Sequence, residues 1–261
     1  MADAKSTTWS WRDAPEARKM SLATAVLVHA QVQLARTLRL ATLWPWLAVM
    51  LATTLGGLAI VRFSVEAAAH YVDYIETWGL RAIALVALGL GTAAIRQDAE
   101  AGALAFFLLR PQAKIALPIG RWLAVTAVTA TLGMVALFVL WLVARGSSAD
   151  MTFGELVTLE TAGFLSALAY SATFLAIAVW ARAAVGMSVG WLVVMDGLAT
   201  QSAGFATLAP SHYIAAVLGR ETLPETAVPV AMAALLGWTA LMLVAAVVKL
   251  QRSAVGLGGQ G

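Results

Sequence analysis

Residues 122–144, WLAVTAVTATLGMVALFVLWLVA, decide the fold class. The stretch holds no charged residue and is rich in Leu, Ala and Val. A helix of this length reaches about 34 Å, and the hydrocarbon core of a bilayer is roughly 30 Å thick. Five more stretches of the same kind lie at 41–61, 78–95, 157–180, 183–202 and 227–248. None shows the period-two alternation of a transmembrane barrel strand. Only Ala181 and Arg182 separate the fourth from the fifth, so these two are expected to form a tight helical hairpin. The expectation is an all-α polytopic membrane protein with six transmembrane helices.

Composition agrees. Of 261 residues, 61% are hydrophobic and 12% charged, too few charges to cover a soluble domain without large apolar patches. That excludes an ordinary cytosolic enzyme, a disordered tail and a nucleic-acid binder. Cysteine is absent, so there is no disulfide framework, thiolate metal site or cysteine nucleophile.

Residues 1–40 do not read as a cleavable signal, because Met1 to Lys19 are polar and mixed in charge, with no compact apolar core. From Met20 to Leu40 the sequence is amphipathic. At helical spacing Met20, Leu27, Ala30, Leu34 and Leu38 gather on one side, with His29, Gln33 and Arg36 opposite. This is expected to be an interfacial helix lying in the membrane plane before the first span, the alternative being a helix packed on a partner.

The basic residues set an orientation. Thirteen of the 17 Lys and Arg fall on the N-terminal side: Lys5, Arg12, Arg18, Lys19, Arg36, Arg39, Arg96, Arg110, Lys114, Arg121, Arg182, Lys249 and Arg252. Only Arg62, Arg81, Arg145 and Arg220 fall opposite, where the acids Glu66, Asp73, Glu76, Asp150, Glu155, Glu160, Glu221 and Glu225 concentrate. Both termini are therefore expected in the cytoplasm, with Trp44, Trp46, Trp78 and Trp141 near span ends as belt residues. The net charge of +3 is a topology signal, not a nucleic-acid signal.

On the basic side, residues 96–121 form a loop long enough to fold. Asp98 and Glu100 precede a helical run, where the helix dipole favours negative charge. Leu104, Phe107 and Leu108 share a face at i, i+3, i+4, and Arg110-Pro111 stops the run. Lys114 and Arg121 lead into the third span. Such a loop suits docking on a cytoplasmic partner or anchoring to lipid headgroups, and the residues alone leave both open.

Asp98, Glu100, Gly102, Leu104, Leu108, Arg110, Pro111, Lys114, Gly120 and Arg121 fall on the pattern D-x-E-x-G-T/S-L-E-x-L-L-x-R-P, then R and G-K, of ABC-2 type permeases. The chain resembles that family over nearly its whole length. It departs from the pattern at Ala103 and Ala105 and in basic exchanges at Lys114 and Arg121. The resemblance implies a homodimeric permease in the bacterial inner membrane, with residues 1–40 holding an elbow helix, 41–248 the spans and 249–261 a flexible tail. It also implies two separate ATPase subunits that carry ATP and Mg and receive the 96–121 loop as a coupling helix. No cofactor is expected in this chain, and no G-x-x-x-x-G-K-[ST] occurs in it.

Other features are weighed on their chemistry. Gly186-Met187-Ser188-Val189-Gly190 matches the G-x-S-x-G of hydrolases but lies in an apolar helix, where Gly186 and Gly190 read better as a G-x-x-x-G packing face. The resemblance places that face, with Gly56 and Gly57, at or near a dimer interface. Asp196 is an acid well inside a span. It is expected either to line the translocation route or to hydrogen-bond another helix, with Ser202, Gln201 or the outer segment as partner. Glu66, His70 and Asp73 sit at i, i+4, i+7 but read as a solvated acidic face, not a metal site. Residues 203–226, broken at Pro210 and Gly219, suit a gate-like segment carrying His212 and Tyr213, or a plain interfacial loop.

The leading expectation is a permease subunit of an exporter whose substrate is unidentified. Its alternative is an ATP-coupled mechanotransmitter acting on a periplasmic partner without bulk transport. An intramembrane enzyme is the weakest reading, since the spans offer no paired catalytic groups.

Overall fold

Apolar runs become helices because only a helix pairs every backbone group within its own segment when water is excluded. The computed structural model of the chain describes residues 21–63, 67–104, 113–146, 151–198, 202–222 and 224–257, and among them no strand occurs. In chain order the helices are α1 (Leu22–Thr37), α2 (Leu40–Phe63) and α3 (Ala67–Tyr74), then a π-helical turn (Ile75–Gly79) leading into α4 (Leu80–Glu100). They continue with α5 (Ala113–Arg145), α6 (Phe153–Trp180) and α7 (Ala184–Trp191), which passes into a second π-helical segment (Leu192–Leu198). The short α8 (Ala203–Ala206) and α9 (Pro210–Val217) precede α10 (Val228–Leu257).

Among the described residues five helices are long and apolar enough to cross a membrane: Leu40–Phe63, His70–Glu100, Lys114–Arg145, Phe153–Trp180 and Val228–Arg252. They match five of the six expected stretches and are those of a multi-pass membrane protein. The stretch 183–202 differs. Its described helix, Ala184–Gly197, is shorter, about 20 Å at ~1.5 Å per residue, less than a hydrocarbon core. The last helix runs on to Leu257, past the expected end of its span at 248.

Local chemistry places several ends. The Ser21 hydroxyl accepts from the Thr24 amide at 3.1 Å and caps α1. Thr152 and Glu155 form a reciprocal capping box that starts α6. Gly102 stands just beyond the end of α4 at φ 69°, a left-handed conformation that glycine adopts without a Cβ clash.

The centre of the bundle is α4 against α6. Some 72% of the α4 span window and 78% of the α6 window are buried, against 11% for α2 and 22% for α10. Ile83, Leu90, Leu137, Leu140, Leu159 and Phe174 fill the space between α4, α5 and α6. α2 turns Trp44, Leu47, Leu51, Leu55 and Leu58 outward.

α1 has an inverted polarity. Its buried residues are Ala25, Gln33 and Thr37, while Leu22, Leu27, Val28, Val32 and Leu38 are exposed. The sequence separates these two sides, and the structure turns the polar one towards protein. The Gln33 amide donates to the Thr37 hydroxyl, and that hydroxyl donates to the Gln33 carbonyl, so buried polar groups satisfy one another. A helix in water would bury the opposite face.

Candidate functional site

Two charged clusters stand at opposite ends of the continuous helix His70–Glu100. At one end Asp98 lies in the last turn of α4, buried to 4% exposure. The sequence suggested that Asp98 and Glu100 lie at a helix N-terminus, yet both occupy the C-terminal turn of the preceding span. A carboxylate there faces the negative end of the helix dipole and needs cations to hold it. It has two. Arg36 of α1 donates to Oδ1 at 2.8 Å, and Arg121 of α5 donates to Oδ2. Arg121, itself buried, also donates to the Ala94 carbonyl of α4.

Gly120, beside Arg121, lets this cluster close. A Cβ there would meet the Val26 carbonyl oxygen at 2.5 Å and the His29 Cβ at 2.8 Å, so α1 lies directly on the α5 backbone. His29 sits at this contact, and burial first, then Arg121, pushes its pKa below the usual 6.5, with Asp98 opposing. Glu100 is mostly exposed and pairs with Arg96 one turn back at 3.1 Å. Leu104 packs on a small apolar cluster with Ile95, Leu117 and Leu250, and Lys114 opens α5. Phe107, Leu108, Arg110 and Pro111 lie outside the described residues.

At the other end Arg220 donates to Asp73 at 2.7 Å and to Glu76. These bonds, to Asp73 above all, hold the guanidinium pKa up. The trio borders a cavity of about 300 Å³. Both π-helical segments reach it, the first through Glu76 and Thr77 and the second through Asp196. Such a turn carries one residue more than an α turn, redirects its side chains, and is common at functional sites.

Asp196 joins three elements. One carboxylate oxygen accepts from the Tyr170 hydroxyl of α6 at 2.5 Å, and the other accepts from the Ser211 amide in the first turn of α9 at 3.1 Å. The Ser211 hydroxyl in turn donates to the Asp196 carbonyl at 3.3 Å. Asp196 thus bonds to another helix and to the outer segment, and it borders this cavity. Beneath Tyr170 lies an aromatic stack. Phe174 stacks on Tyr170 at 5.9 Å, Trp191 meets both edge-on, and Trp238 follows at 6.3 Å from Trp191.

His212 and Tyr213 lie on α9 but do not line this cavity. His212 shares a hydrogen bond with Thr226 at 3.1 Å, and Tyr213 donates to the Thr207 carbonyl at 3.0 Å, so they fasten the outer segment to itself. Burial lowers the His212 pKa. Gly56 and Gly57 receive the rings of Tyr74 and Tyr71, a close approach made within one chain. Gly186 and Gly190 have open space where a Cβ would stand, so no described residue packs against them. Among the described residues no three His, Asp or Glu side chains gather to hold a metal, and Glu66 lies outside them.

The sequence did not announce Arg36, Tyr170, Arg81 or Arg220 as site residues. Arg36, Tyr170 and Arg220 gain their places from partners far along the chain, as Arg220 does from Asp73 across 147 positions, whereas Arg81 rests on nearby Trp78. No protein-family model matches the chain, and no curated protein matches it.

Proposed function

We propose that this chain is the membrane subunit of an ATP-binding cassette exporter, driven by separate ATPase subunits that dock on the 96–121 loop. The observation that carries this reading is the closed base of that loop. Asp98 at its entrance is paired with Arg121 at its exit, and both are tied to α1 through Arg36. A push on the loop therefore moves α1, α4 and α5 together. Breaking a buried pair costs about 3–5 kcal/mol, so the clamp holds under a load that would strip surface contacts. The loop's motif residues acquire parts in this device: Gly102 ends α4, Leu104 seats the chain on the bundle, and Glu100 and Arg110 are offered to the partner.

In this reading both termini are cytoplasmic and the membrane is the bacterial inner one. α1 is the elbow helix, with its polar side on the bundle and its apolar side in lipid. α7 with its π-helical continuation completes a sixth, shortened crossing. The chain acts as a homodimer, ATP and Mg belong to the ATPases, and the substrate is unidentified.

The test is co-purification of the tagged chain with its ATPase, followed by ATP-dependent transport in proteoliposomes. Glu100→Ala and Arg110→Ala are expected to reduce ATPase association or coupling while the purified chain keeps its helical signal. Failure of any ATPase to co-purify would overturn the reading, as would unchanged association and transport in both variants. Stimulated ATP hydrolysis without movement of any solute would favour a mechanotransmitter instead.

A further inference from the structure

The cavity at the Arg220 end is built from unlike charges that are not balanced in place. Asp73 and Glu76 share one guanidinium, that of Arg220, so this wall keeps a net negative charge. Five residues after Glu76, Arg81 also lines the cavity. Its guanidinium forms no ion pair with the described carboxylates, although Asp196 lines the same cavity. It rests instead against the Trp78 ring, 5.7 Å from the centroid, which limits its wandering. Glu76 and Arg81 lie five positions apart, across the junction of the π-helical turn and α4. Leu80 and Ile214 supply apolar surface nearby, and Thr77 and Ser211 supply polar groups.

We propose that this cavity binds a small zwitterion, a molecule whose ammonium group and whose phosphate or carboxylate lie a few ångströms apart. Arg81 takes the anionic group, since a guanidinium presents paired donors that match both carboxylate and phosphate. The Asp73–Glu76 wall takes the ammonium group. A bare anion is opposed by the negative wall, and a bare cation by Arg81, so each charge of the ligand excludes a competitor that lacks the other. The volume is at the small end of ligand pockets and suits a headgroup or an amino acid, not a drug-sized molecule. Binding here requires no ATPase, so the proposal stands apart from the exporter reading.

The experiment uses the full chain in dodecyl maltoside micelles and isothermal titration calorimetry. Glycerophosphoethanolamine stands for a phospholipid headgroup and leucine for a free amino acid, with inorganic phosphate and ethanolamine as single-charge controls. At least one zwitterion is expected to bind ten times more tightly than either control, and the tighter of the two identifies the source. Arg81→Gln should weaken that zwitterion tenfold or more, with Arg81→Lys recovering part of the loss. Glu76→Gln should weaken the zwitterion while leaving phosphate unchanged or tighter. Arg81 is exposed, so its variants should melt with the parent and lose binding without losing the fold. The proposal is overturned if neither zwitterion binds, if phosphate or ethanolamine alone binds as tightly, or if Arg81→Gln binds like the parent.

Discussion

The two charged clusters are mirror images. At the Asp98 end one carboxylate lies between two guanidinia, and at the Arg220 end one guanidinium lies between two carboxylates. Their surroundings differ as much as their signs. The side chains of Asp98 and Arg121 are 6% and 4% exposed, whereas those of Arg220 and Asp73 are 45% and 64% exposed. A buried cluster fixes geometry, because any broken contact leaves a charge without water. An exposed one is cheap to open and close, because water replaces what is lost. The first suits a joint that transmits force and the second a mouth that admits a ligand.

Removing the shared partner at the buried end should have the largest effect. Asp98→Ala leaves two guanidinia facing each other, one of them buried, and should destabilise the chain by about 3–5 kcal/mol in reversible unfolding from micelles. The double change Asp98→Leu with Arg121→Met should recover much of that loss, since apolar replacements often match a buried pair. If Asp98→Ala unfolds like the parent, the two ends are not different in kind.

Next comes the seat of α1. Gly120→Val drives a branched side chain into the Val26 carbonyl and His29, and should cost about 1–3 kcal/mol. Hydrogen exchange should rise across Leu22–Thr37 and remain unchanged in α6. Uniform loosening of both helices would count against a local clamp. At the exposed end, Arg220→Gln should cost at most about 1 kcal/mol, and the difference should shrink as salt is raised. A loss comparable to that of Asp98→Ala would erase the contrast.

The smallest expected effect is a pH response. Folding holds the His29 pKa below 6.5, so the unfolded chain takes up the proton first. The stability this residue contributes is complete above about 6.5 and is lost as pH falls below that value towards the folded pKa. Exchange from α1 should therefore rise on acidification, and His29→Gln should flatten the dependence. His212, also pushed down by burial, gives the opposite end an acid response of its own, which the His29 variant leaves intact.

Hydropathy made most of the helices legible, because a charge-free run the length of a bilayer has few other uses. In 183–202 it could not show that Asp196 takes donors from Tyr170 and Ser211 or that the chain winds into a π-helical segment there. Those donors come from neighbours, not from the run itself. The amphipathic pattern of 20–40 set Leu27 and Leu38 apart from Gln33, but Ala30 and Leu34, assigned to the apolar side, lie towards protein, since lipid and a dry core ask for the same residues. In the loop, Asp98 and Glu100 stood out by spacing, yet their position at a helix end was set by Gly102 and by arginines 62 and 23 positions away from Asp98.

The seat of α1 also imposes an order on biosynthesis. Arg36 leaves the ribosome 62 residues before Asp98, and Asp98 leaves 23 residues before Arg121. At about 5–20 residues per second, that is roughly 4–17 s during which α1 has been made and its docking surface has not. Throughout that interval Gln33 and Thr37 have each other, but Arg36 is without the carboxylate that will pair with it. The newborn helix therefore waits without its seat until the third apolar stretch emerges to receive it.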